Sequence, residues 1–261
     1  MGKLEGKVAI ITGGGKGIGF GLAKAFAKEG ANLTITGRTM SRLKAAKEKL
    51  EAEYGVKVLP ITADGANEAS VANVVKQTVE TFGRIDTVVN NAQVSKSGVM
   101  LKDHTKEDFD LAIYSGLYAA FFYMRDAYPY LKESKGSVIN FSSMAAFRPL
   151  TRVCGYAAAK AGISNFTAFM ATECAKKFGE GIRVNAIAPG FFLTEQNRSL
   201  LTNPDGTYTK RGQDVIRQTP FGRMGEPEEL CGTIHYLMSD AAKFVTGTVA
   251  VVDGGFNVFA M

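Results

Sequence analysis

Residues 7–30 read KVAIITGGGKGIGFGLAKAFAKEG. The first part, KVAIIT (7–12), is a short apolar run that ends in a cluster of glycines, and the second, IGFGLAKAFAKEG (18–30), repeats its apolar residues at helical spacing before closing on Gly30. A strand that passes through a glycine turn into an amphipathic helix is the opening unit of an α/β layer structure.

Further along the chain the same alternation continues. NLTITG (32–37), VKVLPIT (56–62), IDTVVNNA (85–92), GSVINFSS (136–143), IRVNAIAP (182–189) and TVAVVDGG (248–255) read as further strands. Helical patterns separate them at 40–55, 70–83, about 107–133, about 155–179 and 226–240. Strands that alternate with helices require right-handed crossovers, which predicts a Rossmann-type, doubly wound, mostly parallel seven-stranded sheet with helices on both faces. Residues 1–261 read as a single domain whose N-terminal half binds the dinucleotide. The least regular stretch, 191–221, has a polar centre between apolar ends and suits a mobile cover over a substrate cleft.

Composition limits the function classes. The chain has 261 residues and a net charge of +6, but its Lys and Arg are spread along the sequence without a dense basic run, so nucleic acid is not the expected partner. No apolar run is long enough to span a membrane. The early apolar stretch ends in glycines rather than a cleavage site, and Cys154, Cys174 and Cys231 lack the spacing of a disulfide framework or a metal site. A cytoplasmic protein without metal is expected.

The turn TGGGKGIG (12–19) places Gly13, Lys16, Gly17, Ile18 and Gly19 between a strand and a helix start. Glycines there allow close backbone approach, and the helix N-terminus offers free N–H groups to a pyrophosphate. At the end of the second strand the chain reads Thr36, Gly37, Arg38, with no carboxylate to hold a ribose 2′-hydroxyl. Arg38 and Lys16 would be ordinary solvated cations in a plain loop; beside a dinucleotide they suit a 2′-phosphate, and so NADP(H).

Tyr156 and Lys160 stand four residues apart on one helix, thirteen residues beyond Ser143. A ketone that accepts a hydride needs its oxygen stabilised and protonated, and a tyrosine whose pKa is lowered by a neighbouring ammonium can do both. In that reading Tyr156 and Lys160 act on the same oxygen.

The spacing TGxxxGxG, the partial NNAG signature at Asn90, Asn91 and Ala92, the Ser143, Tyr156, Lys160 set and the PGxxxT pattern at Pro189, Gly190 and Thr194 resemble the short-chain dehydrogenase/reductase family in its classical type. The resemblance runs through Asp253, Gly254 and Gly255, and so covers essentially the whole chain. It implies that Tyr156 is the acid/base, that Lys160 lowers its pKa and binds the nicotinamide ribose, and that Ser143 holds the substrate oxygen. It further implies cofactor contacts from Asp64, Asn91, Pro189, Gly190, Phe192 and Thr194, and a homotetramer packed through the long helices.

Two positions depart from the family pattern. Gln93 replaces a glycine and is expected to border the substrate, and Gly116 stands where an asparagine usually helps to hold a water near the lysine; Ser115 or a water is the expected substitute. The stretches NNAQVSKSG, DFDLAIYSGLYAAFFYMRDAYPYLKE and GSVINFSS look like bacterial 12α-hydroxysteroid dehydrogenases, which implies an apolar steroid alcohol or ketone. A 3-oxoacyl-[acyl-carrier-protein] reductase or general carbonyl reductase is the second reading, and a cofactor-binding regulator without turnover the third.

Overall fold

The computed structural model describes residues 2–96, 98–195 and 197–259. Its strands are β1 (Val8–Thr12), β2 (Asn32–Gly37), β3 (Val58–Thr62), β4 (Thr87–Asn90), β5 (Ser137–Phe141), β6 (Arg183–Pro189) and β7 (Val249–Val252). They form one seven-stranded sheet in the order β3-β2-β1-β4-β5-β6-β7. Every neighbouring pair is parallel, so the sheet is parallel throughout. The order reverses between β1 and β4. In an open α/β sheet, the crevice at the carboxyl ends of strands flanking such a reversal is where ligands bind.

The helices are α1 (Gly17–Lys28), α2 (Met40–Tyr54), α3 (Glu68–Phe82), α4 (Lys106–Ile113), α5 (Ala119–Ser134), α6 (Cys154–Phe178), α7 (Arg198–Leu201), α8 (Lys210–Gln218) and α9 (Cys231–Met238). One core layer joins Leu22, Phe26, Leu33 and Ile35 to Leu230, Ile234 and Leu237 on one face of the sheet. The other joins Val71, Val74, Phe122, Tyr123 and Leu131 to Val88, Val138 and Val184 on the opposite face. Strands covered on both faces are buried along their whole length, which is why β1 and β5 read as mostly apolar rather than alternating runs.

The helical pattern near 107–133 is not one continuous helix. A single π turn, Tyr114–Tyr118, separates α4 from α5. Gly116 is a weak helix former, and the Ser115 hydroxyl bonds back to the Leu111 carbonyl at 2.6 Å, so the regular ladder is locally replaced. The segment 191–221, expected to be irregular, contains α7 and α8, which pack Leu201 and Val215 with Met224 into a small separate cluster.

Candidate active site

The glycine turn is shaped by steric necessity. Gly13 has φ 71°, a left-handed conformation in which a side chain is strained. A Cβ on Gly19 would run into the Gly13 carbonyl and stand 2.8 Å from Asn91 Nδ2. Asn91 braces this loop by donating from Nδ2 to the Thr12 carbonyl at 2.9 Å, while its own N–H donates to Thr12 Oγ1 at 2.9 Å. The first turn of α1 has neither a side-chain cap nor an acidic residue, so its N–H groups remain available to an anion.

The Gly14 N–H donates to the Thr36 carbonyl at 3.2 Å, which ties this turn to the end of β2. Lys16 and Arg38 are both exposed at that end of the sheet, and neither forms a salt bridge among the described residues. Asp64 is exposed beyond β3 and accepts the Ala66 N–H at 3.0 Å. Pro189 ends β6, and a Cβ on Gly190 would stand 2.8 Å from the Asp253 Cα. Phe192 is buried against Gly225, and Thr194 is fixed by Asn197, whose Oδ1 accepts from the Thr194 N–H at 2.8 Å and from its hydroxyl at 3.2 Å. An uncapped helix start, a glycine cradle and two unpaired cations at a strand end free of carboxylates fit a phosphorylated dinucleotide.

Ser143, Tyr156 and Lys160 converge beyond the end of β5. Ser143 starts a short 3-10 turn, accepting the Ala145 N–H at 3.2 Å, and its hydroxyl lies beside that of Tyr156. Lys160, 4% exposed, reaches back from α6, with Nζ 5.4 Å from the Tyr156 ring centroid and donating to the Phe141 carbonyl at 2.6 Å. Ser142 is turned away, bonded to Ser164 Oγ at 2.6 Å.

In the protein alone, burial sets both proton affinities. It pushes the Tyr156 hydroxyl up, opposed in part by the neighbouring Ser143 hydroxyl, and brings the Lys160 ammonium down to about 7. A tyrosinate is therefore disfavoured until further positive charge enters the site.

Gln93 is partly buried, and its Nε2 donates to the Ala112 carbonyl at 3.2 Å. The Ser115 hydroxyl is committed elsewhere: it accepts from the Val94 N–H at 3.0 Å and faces the Val94 and Leu111 carbonyls. It therefore has no free hydrogen for a proton relay, contrary to the expectation above. Of the apolar residues near Ser143 and Pro189, Met144 and Phe192 are core, whereas Phe147 is 46% exposed and Phe191 packs edge-on to Phe256 at 5.3 Å.

Three supporting residues escaped the reading of the sequence. Thr12 stands in the glycine motif, but its hydroxyl serves Asn91 and Ala92 about eighty positions away. Asn197 and Arg148 act through backbone carbonyls and a neighbouring hydroxyl, which leave no spacing signal.

The family described as Enoyl-(Acyl carrier protein) reductase matches residues 13–257, from the glycine turn to beyond β7. The chain belongs to the short-chain dehydrogenase/reductase family. Members of this family are oxidoreductases that use nicotinamide cofactors on alcohols and ketones. A 12α-hydroxysteroid dehydrogenase of a Clostridium species is 46% identical over 264 residues, covering 98% of this chain and 99% of that one. A 3-oxoacyl-[acyl-carrier-protein] reductase of Thermotoga maritima is 35% identical over 257 residues, covering 98% and 100%. Among solved structures, L-sorbose reductase of Gluconobacter frateurii, complexed with NADPH and L-sorbose, superposes with a TM-score of 0.90 at 32% identity, covering 100% and 99%. As a short-chain dehydrogenase/reductase, the chain has no described helix long and apolar enough to cross a membrane.

Proposed function

We propose that this chain is an NADP(H)-dependent oxidoreductase that interconverts a secondary alcohol and a ketone, and that its substrate is a hydroxysteroid of the bile-acid type. The observation that carries the reading is the convergence of Ser143, Tyr156 and Lys160 on one point beyond β5. The 46% identity to a 12α-hydroxysteroid dehydrogenase supports the steroid, and the half-exposed Phe147 with the Phe191–Phe256 pair offers apolar surface for it.

The residues holding the dinucleotide are Gly13, Lys16, Gly17, Ile18 and Gly19 at the pyrophosphate and 2′-phosphate end, with Arg38 and Asp64 around the adenosine. Asn91, Pro189, Gly190, Phe192 and Thr194 line the nicotinamide end, and Tyr156 and Lys160 meet its ribose. The bound nicotinamide supplies or accepts the hydride. In reduction, Ser143 donates a hydrogen bond to the substrate oxygen and Tyr156 gives that oxygen a proton; in oxidation Tyr156 takes it back. Lys160, in its ammonium form, favours the tyrosinate, and Gln93 borders the substrate.

Free Cys154, Cys174 and Cys231 accord with a reducing cytoplasm. Exposed Phe121 and Phe169 on α5 and α6, and Phe244 and Val251 near β7, offer apolar faces for a homotetramer.

The 35% identity to a 3-oxoacyl-[acyl-carrier-protein] reductase favours a second reading, reduction of a thioester-linked ketone. NADPH absorbance followed against bile acids oxidised at positions 3, 7 and 12, an acetoacetyl thioester and simple ketones separates the two. Turnover confined to one steroid position supports the first, and preference for the thioester replaces it.

A further inference from the structure

The two departures from the family pattern meet in space. A Cβ built on Gly116 would stand 2.9 Å from both Cδ and Nε2 of Gln93 and 3.2 Å from its Oε1. The Gln93 amide thus fills the volume that a side chain at position 116 would take. The bond from Nε2 to the Ala112 carbonyl fixes the amide's orientation, because a carbonyl can only accept. Oε1 is left buried, with no hydrogen-bond partner among the described residues.

A second acceptor three residues away is in the same condition. The Thr167 hydroxyl donates to the Ile163 carbonyl and accepts from Asn140 Nδ2, and Asn140 Oδ1 accepts from Asn90 Nδ2. That chain fixes every amide in it and leaves Asn90 Oδ1 buried without a donor among the described residues. Buried acceptors left unpaired are costly, so two of them at the end of one strand point to a donor that comes from outside the protein atoms.

The helix beside them carries an unused donor. The π turn and α4 pack on α6, with Gly155 against Phe109 and Ala112 and Gly162 against Leu117. Tyr156 and Lys160 lie on the α6 turns between those two contacts. The Lys160 ammonium has three hydrogens, and among the described residues its one hydrogen-bond partner is the Phe141 carbonyl.

We infer that Gln93 is a positioning residue: with Asn90 it holds a water that accepts from Lys160, keeping the ammonium charged and aimed for its work on Tyr156. The water donates to Gln93 Oε1 and Asn90 Oδ1 and accepts from Lys160 Nζ. The amide comes from the loop after β4 rather than from the helix, and the bare Gly116 makes room for it. This inference rests on the oxidoreductase reading above.

Three variants of the full chain test it: Gln93→Leu, Gly116→Asn, and the swap Gln93→Gly with Gly116→Asn, which returns an amide to the same volume from the helix side. Each is measured for kcat and KM on the best ketone of the panel, NADPH affinity by fluorescence titration, and Tm. Gln93→Leu is expected to lower kcat between about 10- and 100-fold, with NADPH affinity and Tm held. Gly116→Asn alone is expected to lower Tm, and the swap to recover both Tm and kcat. Wild-type kcat in Gln93→Leu overturns the inference, as does a loss of kcat, Tm and NADPH affinity together or a swap no better than the single variants. A wild-type chain that oxidises NADPH with no carbonyl on the panel overturns the oxidoreductase reading as well.

Discussion

The Lys160 ammonium donates to the Phe141 carbonyl at 2.6 Å from a position almost sealed from solvent. Burial brings its pKa down to about 7, from an ordinary lysine value of 10.5. Below about pH 7 the folded and unfolded chains both hold the proton, and the cost of the buried charge is complete. Between about 7 and 10.5 the unfolded chain binds more protons, so this contribution to stability improves as pH rises. Lys160→Met should therefore change the Tm of the cofactor-free protein in a pH-dependent way. Its Tm relative to wild type is highest near about pH 6 and falls steadily toward about pH 10. A difference that stays flat across that range would remove the buried cation from the account.

Tyr156→Phe keeps the ring and deletes the hydroxyl that lies beside Ser143. Loss of a positioned acid/base is expected to reduce kcat by about 10²- to 10⁴-fold, while NADPH affinity holds to within a few-fold. Steady-state rates and a fluorescence titration on the same preparation check both halves. An active variant assigns the proton to another group.

Arg38 is exposed and forms no ion pair among the described residues, so its removal should cost the fold little. Arg38→Ala is expected to weaken NADPH by roughly 10- to 100-fold, the loss of charge-assisted hydrogen bonds worth about 1.5–3 kcal/mol, and to leave NADH nearly unchanged. Parallel titrations with the two nucleotides decide it. An equal loss for both takes Arg38 away from the 2′-phosphate.

Gly19→Ala puts a methyl group against the Gly13 carbonyl and Asn91 Nδ2. The collision is with backbone, which has little freedom to retreat. A destabilisation of about 1–3 kcal/mol is expected, read as a Tm lower by roughly 2–12 °C, together with loss of dinucleotide binding. A variant that melts and binds like wild type would show that the turn has more slack than its geometry implies.

Much of the fold was legible because each crossover is local: an apolar run, a glycine or polar turn and a helical pattern follow one another within about thirty residues. The residues from Ser143 to Lys160 were legible for the same reason, since thirteen and four positions on adjoining elements fix their neighbourhood. What escaped depends on distance or on the backbone. The π turn at Tyr114–Tyr118 arises from a hydroxyl bonding back within one helical turn, which a pattern of apolar spacing does not register. α8 escaped because its sequence, KRGQDVIRQ, has few apolar residues and a glycine inside it. The relation of Gln93 to Gly116 joins positions on different elements, and each alone reads only as an oddity.

The strand order also bears on how the chain is made. After β4 has taken its place beside β1, β5, β6 and β7 each join the newest edge of the sheet, so the structure can grow outward as it leaves the ribosome. Residues 253–259 are not passive in this growth. Gly190 is packed on Asp253, and the Arg148 guanidinium grips the carbonyls of Asn257 and Phe259, so the loop that follows Ser143 is pinned only once residues 253–259 are in place. A nascent chain halted before β7 would carry Ser143, Tyr156 and Lys160 but leave that loop unpinned, so competence should arrive only after β7 has joined the sheet.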